Sequence, residues 1–355
     1  MDWSAASEIL FERRGVAGLV TLNRPRALNA VTFDMVRALA HQLEDWAWDA
    51  SITRVVMTAA GDRAFSAGGD IRQLYDLGVA GRQTEMLRFY REEYVLNTLI
   101  KHYPKPYVAL IDGICMGGGV GLSVHGPHRV AGDRFLFAMP EVGIGFFPDV
   151  GATWFLPRLP GEMGAYCALT GARLGAADAA AANLATHCVP SGRFGALADA
   201  LCGPDPVDAT LAAFSRAPGE GRLAPHRELI NREFRGDRVE NILAGLDAEA
   251  ALGGDGAEFA AATVAAIRAK SPTALKVALA QIRAGSALSF QACMQLEFRI
   301  VSRMVHGHDF YEGVRAVIVD KDNAPRWQPA NLADVTDADV ARHFASLGDD
   351  ELVLP

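Results

Sequence analysis

Through roughly its first 200 residues the chain alternates short β-branched runs with longer amphipathic stretches, and the joints between them are rich in glycine. Val16 to Leu22 is an apolar run closed by the turn-forming Asn23-Arg24-Pro25. Thr32 then suits a helix N-cap, with Asp34 in the first turn, and the helix is predicted to run to about Trp48. Within it Val36, Leu39, Ala40 and Leu43 recur at three-to-four spacing and form one apolar stripe. Arg54 to Ala60 and Pro106 to Ile111 predict two more strands, each followed by a glycine-bearing loop and a helical stretch. Such alternation predicts an α/β core with its working loops at strand ends.

The texture changes beyond residue 203. Gly203-Pro204-Asp205-Pro206 and Ala217-Pro218-Gly219-Glu220-Gly221 interrupt the chain, and the remaining residues read as helices. Ser271-Pro272 predicts a cap with proline at the first helical position, and Ser289 to His306 predicts a further helix ended by Gly307. We therefore expect an α/β core over 1–205 and a helical C-terminal region over 206–355, with the boundary in the 205–225 stretch.

Composition excludes several classes of function. Half of the 355 residues are hydrophobic, enough for a large core without disulfide staples. The net charge of −8 lacks the basic footprint of a nucleic-acid binder or a polybasic membrane anchor. Cys115, Cys167, Cys188, Cys202 and Cys293 are odd in number and widely spaced, so neither a disulfide framework nor a cysteine metal site is indicated. Met1-Asp2-Trp3-Ser4 lacks a secretory or organelle-targeting pattern, and no apolar run is long enough to span a bilayer. The expected location is the cytoplasm, with no nucleic-acid or membrane partner.

Familiar catalytic patterns fail. There is no G-x-G-x-x-G, no Gly-Lys dipeptide and no H-E-x-x-H. Gly121-Leu122-Ser123-Val124-His125-Gly126 misses the nucleophile elbow by one residue, and Ser123 and His125 in one helix point apart, so Ser123 reads as structural. Two glycine loops are more informative: Ala64-Phe65-Ser66-Ala67-Gly68-Gly69-Asp70 and Asp112-Gly113-Ile114-Cys115-Met116-Gly117-Gly118-Gly119. Each follows a strand and leads into a helix, where unpaired N–H groups accumulate. A pair of such donors can form an oxyanion hole, though each loop alone could equally be a tight turn. Met139-Pro140-Glu141 through Pro148-Asp149 places two carboxyls in an apolar segment, which suits proton transfer near neutrality; a capping or ion-pairing role is the plainer alternative. Glu92-Glu93 lies on a predicted helix over 84–99, where a solvated face is the plainer reading.

Taken together, Val20-Thr21-Leu22-Asn23-Arg24-Pro25, the Ala-Gly-Gly-Asp loop, the triple glycine and the Pro140-Glu141 step resemble the enoyl-CoA hydratase/isomerase (crotonase) superfamily in order and spacing. The likeness covers about residues 10–190 and implies a spiral of strand–strand–helix units. A thioester-hydrolysing branch of the superfamily is resembled further by Arg91-Glu92-Glu93-Tyr94, Met116 to His125, Phe137 to Val150, Phe155 to Leu159, Gly307 to Phe310 and Ile318 to Asp322.

The resemblance implies an acyl-CoA substrate, the CoA being part of it, with no other cofactor and no metal. It gives the backbone N–H groups of Gly69 and Gly118 to an oxyanion hole, and catalysis to Glu141 and Asp149. Glu93, Gly68, Asp70 and Arg24 would bind substrate. The hydratases' first glutamate corresponds to Gly121 here, while Asp149 stands where hydratases commonly have glycine. The implied reaction is hydrolysis of a short β-hydroxyacyl-CoA; a hydratase or isomerase, or a non-catalytic acyl-CoA-binding or RNA-binding protein of the same fold, are the alternatives. The resemblance also leaves open a homo-oligomer, whose interface the long C-terminal part could cover.

Overall fold

A computed structural model of the protein describes residues 7–355; Met1–Ser4, read above for a targeting signal, lie outside them. Successive stretches of the chain each contribute one strand to two different sheets. Arg54–Ala59, Tyr107–Ile111 and His128–Ala131 enter a six-stranded sheet, while Ala64–Ser66, Ile114–Met116 and Leu136–Ala138 enter a four-stranded one. Short strand–turn–strand steps are thus followed by helices, and the strand–strand–helix expectation is met.

In the larger sheet Ala17–Leu22, Arg54–Ala59, Tyr107–Ile111, His128–Ala131 and His187–Cys188 run parallel in that order. Ile9–Arg14 adds an antiparallel edge through a hairpin onto Ala17–Leu22. Parallel strands buried on both faces read as continuous apolar runs, and Tyr107–Ile111 is buried at every position. Ala17, Leu19, Val56, Val108, Leu110 and Val130 pack there against Leu197, Leu201 and Leu211. The first helix, Phe33–Trp48, starts where the sequence predicted: the Thr32 hydroxyl accepts the Met35 N–H, a cap worth about 1 kcal/mol. Of its apolar stripe, Val36, Leu39 and Leu43 are fully buried and Ala40 is half-buried.

The chain forms two compact units, and they interleave. One contains the chain up to Asp70, Val95–Phe137 and Arg173–Arg222; the other contains Ile71–Tyr94, Ala138–Ala172 and Leu223–Pro355. A single cut between 205 and 206 therefore does not describe how the chain packs. Among the described residues no strand follows His187–Cys188, but the helices Phe194–Leu201 and Val207–Phe214 cluster with the sheets, whereas the later helices cluster with Ile71–Tyr94 and Ala138–Ala172. Composition registered the switch to helices; packing follows the buried faces.

In the second unit Pro272–Gly285 and Phe290–Met304 carry the deepest helical stripes, and both are capped by serines: Ser271, as predicted, accepts from Ala274, and Ser289 accepts from Ala292. No helix among the described residues is long and apolar enough to cross a membrane.

Candidate active site

The candidate site residues fall into two groups, one in each unit. In the first unit the glycine loops come together. Gly68 has φ +110°, and a Cβ there would lie 3.3 Å from the Met116 carbonyl oxygen and 3.6 Å from the Gly118 nitrogen. Gly119 is tighter still: a Cβ would stand 2.6 Å from the Ser66 carbonyl oxygen and 2.7 Å from the Ser66 Cβ. The side chains are missing because the two main chains occupy that space.

Gly69 is bracketed rather than bonded. The Val31 N–H donates to the Gly68 carbonyl and the Asp70 N–H donates to the Val31 carbonyl, which leaves the Gly69 N–H without an acceptor among the described residues. Gly118 opens the short helix Gly118–Gly121, so its N–H is likewise unused. Asp70 and Arg24, both expected at the substrate, are paired with each other at 3.1 Å, and Arg24 also bonds Glu8 at 2.9 Å and the Ala30 carbonyl. These bonds tie the loop's end to the Asn23-Arg24-Pro25 turn. Ser123 donates to the Gly119 carbonyl at 2.9 Å, a helix back-bond in keeping with a structural role.

Among the buried acids of the second unit are Glu93, Glu141, Asp149 and Glu297. Glu93 comes from Gln83–Lys101, Glu141 opens the turn Glu141–Ile144, Asp149 sits in the loop before Ala152–Phe155, and Glu297 lies on Phe290–Met304. Glu92, beside Glu93, remains partly exposed and pairs with Arg88, so only one of the two has the solvated face. Asp149 accepts from the Tyr94 hydroxyl at 2.9 Å. Glu297 accepts from the N–H groups of Gly151 and Thr153, each at 2.8 Å.

Burial and mutual repulsion disfavour ionisation throughout. Desolvation first, then the Asp149 charge, pushes Glu141 well above the usual carboxylate range. Glu93 is raised in the same way by burial, Asp149 and Glu297. Asp149 is pushed up to about 7 by burial, against the Tyr94 hydrogen bond. Glu297 is pushed up to about 8, its two N–H donors opposing the cost of desolvation. The cluster thus holds protons and exchanges them near neutrality, as general acid–base chemistry requires.

Among the buried polar atoms of this unit without a hydrogen-bond partner among the described residues, three belong to the Glu93, Glu141 and Tyr90 group: Glu141 Oε2, Glu93 Oε1 and the Tyr90 hydroxyl. Leaving one buried polar atom unpaired costs about 1–3 kcal/mol, so three near the same acids mark a place shaped to receive polar groups of a ligand. Tyr90 feels Asp149, Glu93 and Glu141 and stacks on Phe146 at 5.6 Å. Neither Tyr90 nor Glu297 was picked out from the sequence. Glu297 was detectable: it lies on one stripe with Phe290, Cys293, Met294, Ile300, Val301 and Met304, where an acid has no solvent.

The chain is similar to known proteins over nearly its whole length. Residues 17–344 match the enoyl-CoA hydratase/isomerase family. The chain belongs to that family, the crotonase superfamily of the motifs above. A protein of the rat, Rattus norvegicus, named 3-hydroxyisobutyryl-CoA hydrolase, mitochondrial, is 46% identical across 98% of this chain and 91% of its own. The human protein of the same name is 43% identical over the same shares. Among solved structures, one described as a carnitinyl-CoA dehydratase from Mycobacterium thermoresistibile matches with TM-score 0.91 and 42% identity, covering 98% of both chains. One described as an enoyl-CoA hydratase from Rhodobacter sphaeroides matches with TM-score 0.91 and 40% identity, covering 98% of this chain and all of its own.

Proposed function

We propose that the protein hydrolyses 3-hydroxyisobutyryl-CoA, or a closely similar short β-hydroxyacyl-CoA, to the free hydroxy acid and CoA. The observation that carries this reading is the pairing of a buried Glu141 and a buried Asp149 with full-length identity to relatives named for that hydrolysis. The N–H groups of Gly69 and Gly118 serve as the oxyanion hole for the thioester carbonyl. One such donor is worth about 3–4 kcal/mol in comparable sites. Two routes are open to Glu141. As a nucleophile it adds to the carbonyl, the C–S bond breaks, CoA leaves as the thiolate, and water then splits the mixed anhydride. As a general base it removes a proton from a water that adds directly. Asp149 orients the water or the substrate, and Glu93 meets the substrate's hydroxyl. The chemistry needs no cofactor beyond the CoA that the substrate carries.

Hydration of a double bond is the second reading, favoured by the descriptions of the two solved structures. It needs proton delivery and water activation at adjacent carbons, and position 121 offers glycine where the hydratases' first acid would stand.

Single-turnover hydrolysis in heavy-oxygen water separates the routes. Label in the Glu141 peptide supports the anhydride; label only in the product acid supports the general base. We assign the protein to the cytoplasm, in keeping with five free cysteines; the mitochondrial names of its relatives make cell fractionation the test.

A further inference from the structure

The loop that bears Asp149 is held in an unusual shape by the C-terminal helices. Val150 and Gly151 are consecutive left-handed residues, with φ +53° and +90°, and a β-branched residue such as Val150 rarely takes that conformation. The main chain on either side is gripped by buried side chains. Gln281, on Pro272–Gly285, donates its amide to the Pro148 carbonyl. Glu297, on Phe290–Met304, takes the N–H groups of Gly151 and Thr153 on its two oxygens. Gly285 packs on the same loop, where a Cβ would stand 1.8 Å from the Thr153 carbonyl oxygen.

We propose that Glu297 and Gln281 are positioning residues that fix the Asp149 carboxyl for the reaction. This rests on the catalytic reading of Asp149. A carboxylate is the one side chain that supplies two adjacent acceptors to two main-chain donors without bringing a donor of its own. Both helix positions would ordinarily be filled by apolar residues, since both side chains are wholly buried. Burying an acid there is unfavourable unless its bonds matter. The ionisable groups around Asp149 are Tyr90, Glu93 and Tyr94 from Gln83–Lys101, Glu141 from its turn, and Glu297; they are acids or phenols, so a negative charge on one is opposed by charge on the others.

The test compares Glu297→Gln and Gln281→Met with Asp149→Asn, by thiol release from the β-hydroxyacyl-CoA across pH 5–9. Glu297→Gln keeps one acceptor, turns a donor against a main-chain N–H and removes the charge. Its kcat is expected to fall about 10- to 100-fold, with KM within about twofold. Its pH–rate limb is expected to stay where the wild type has it, because Asp149 gives up its proton before Glu297 does. Gln281→Met changes no charge; its kcat is expected to fall several-fold with the limb unmoved. Glu297→Gln with wild-type kcat, or with a KM raised as much as its kcat is lowered, overturns the proposal. Should Glu297→Gln not fold, wild-type kcat in Gln281→Met overturns it. If Asp149→Asn keeps wild-type turnover, the reading of Asp149 itself fails, a separate outcome.

Discussion

The glycine loops around Gly69 and Gly118 hold their chemistry in the main chain, whereas Glu93, Glu141, Asp149 and Glu297 hold theirs in side chains. The difference decides how each region breaks. At the loops, volume is forbidden: a single methyl on Gly119 meets Ser66. At the buried acids an isosteric amide keeps the side chain's shape and removes its charge. A loop variant should lose activity and stability together. An acid variant should lose activity and gain stability.

Glu141→Gln should have the largest effect, with CoA release from 3-hydroxyisobutyryl-CoA falling about 10³-fold or more and substrate binding little changed; steady-state thiol release and equilibrium binding check both. Gly119→Ala should follow, at about 10²-fold in kcat through displacement of the neighbouring donors, with a lower Tm that Glu141→Gln does not show. Asp149→Asn should lose about 10²-fold, and a wild-type pH–rate limb near 7 should be absent from it.

The stability contrast is smaller and its sign is fixed. Burial raises Asp149 from an ordinary 3.8 to about 7, so the unfolded chain gives up this proton first. The group's contribution to stability is therefore intact below about pH 4, falls as pH rises to about 7, and is level beyond. Asp149→Asn should melt above the wild type at pH 8 and with it at pH 4. Equal melting curves at pH 8 would mean that the acid is not buried in solution. Smallest of all is Asp76→Asn, which removes an exposed helix pair with Arg72; about 0.5 kcal/mol or less is expected, with kcat unchanged.

How much could be read from the sequence tracks how local each cause is. Thr32 and Ser271 cap their helices as predicted because a cap depends on three or four consecutive residues. The glycine loops were legible for a similar reason. The first strand, Ile9–Arg14, escaped notice because an edge strand with Glu12, Arg13 and Arg14 facing solvent has little apolar alternation. Glu93 could not be told from Glu92, since adjacent helical residues point about 100° apart and only tertiary packing says which is covered. Glu297 was present on a buried stripe, but its partners Gly151 and Thr153 lie more than 140 residues earlier. The interleaved units were the least legible, for they depend on which buried faces meet rather than on where helices begin.

The central claim is that the chain breaks a C–S bond rather than adding water across a C=C bond. Purified protein given 3-hydroxyisobutyryl-CoA and, separately, crotonyl-CoA should release free thiol from the first and leave the unsaturation of the second intact. Loss of the enoyl absorbance from crotonyl-CoA, with no thiol released from the hydroxyacyl substrate, would contradict it.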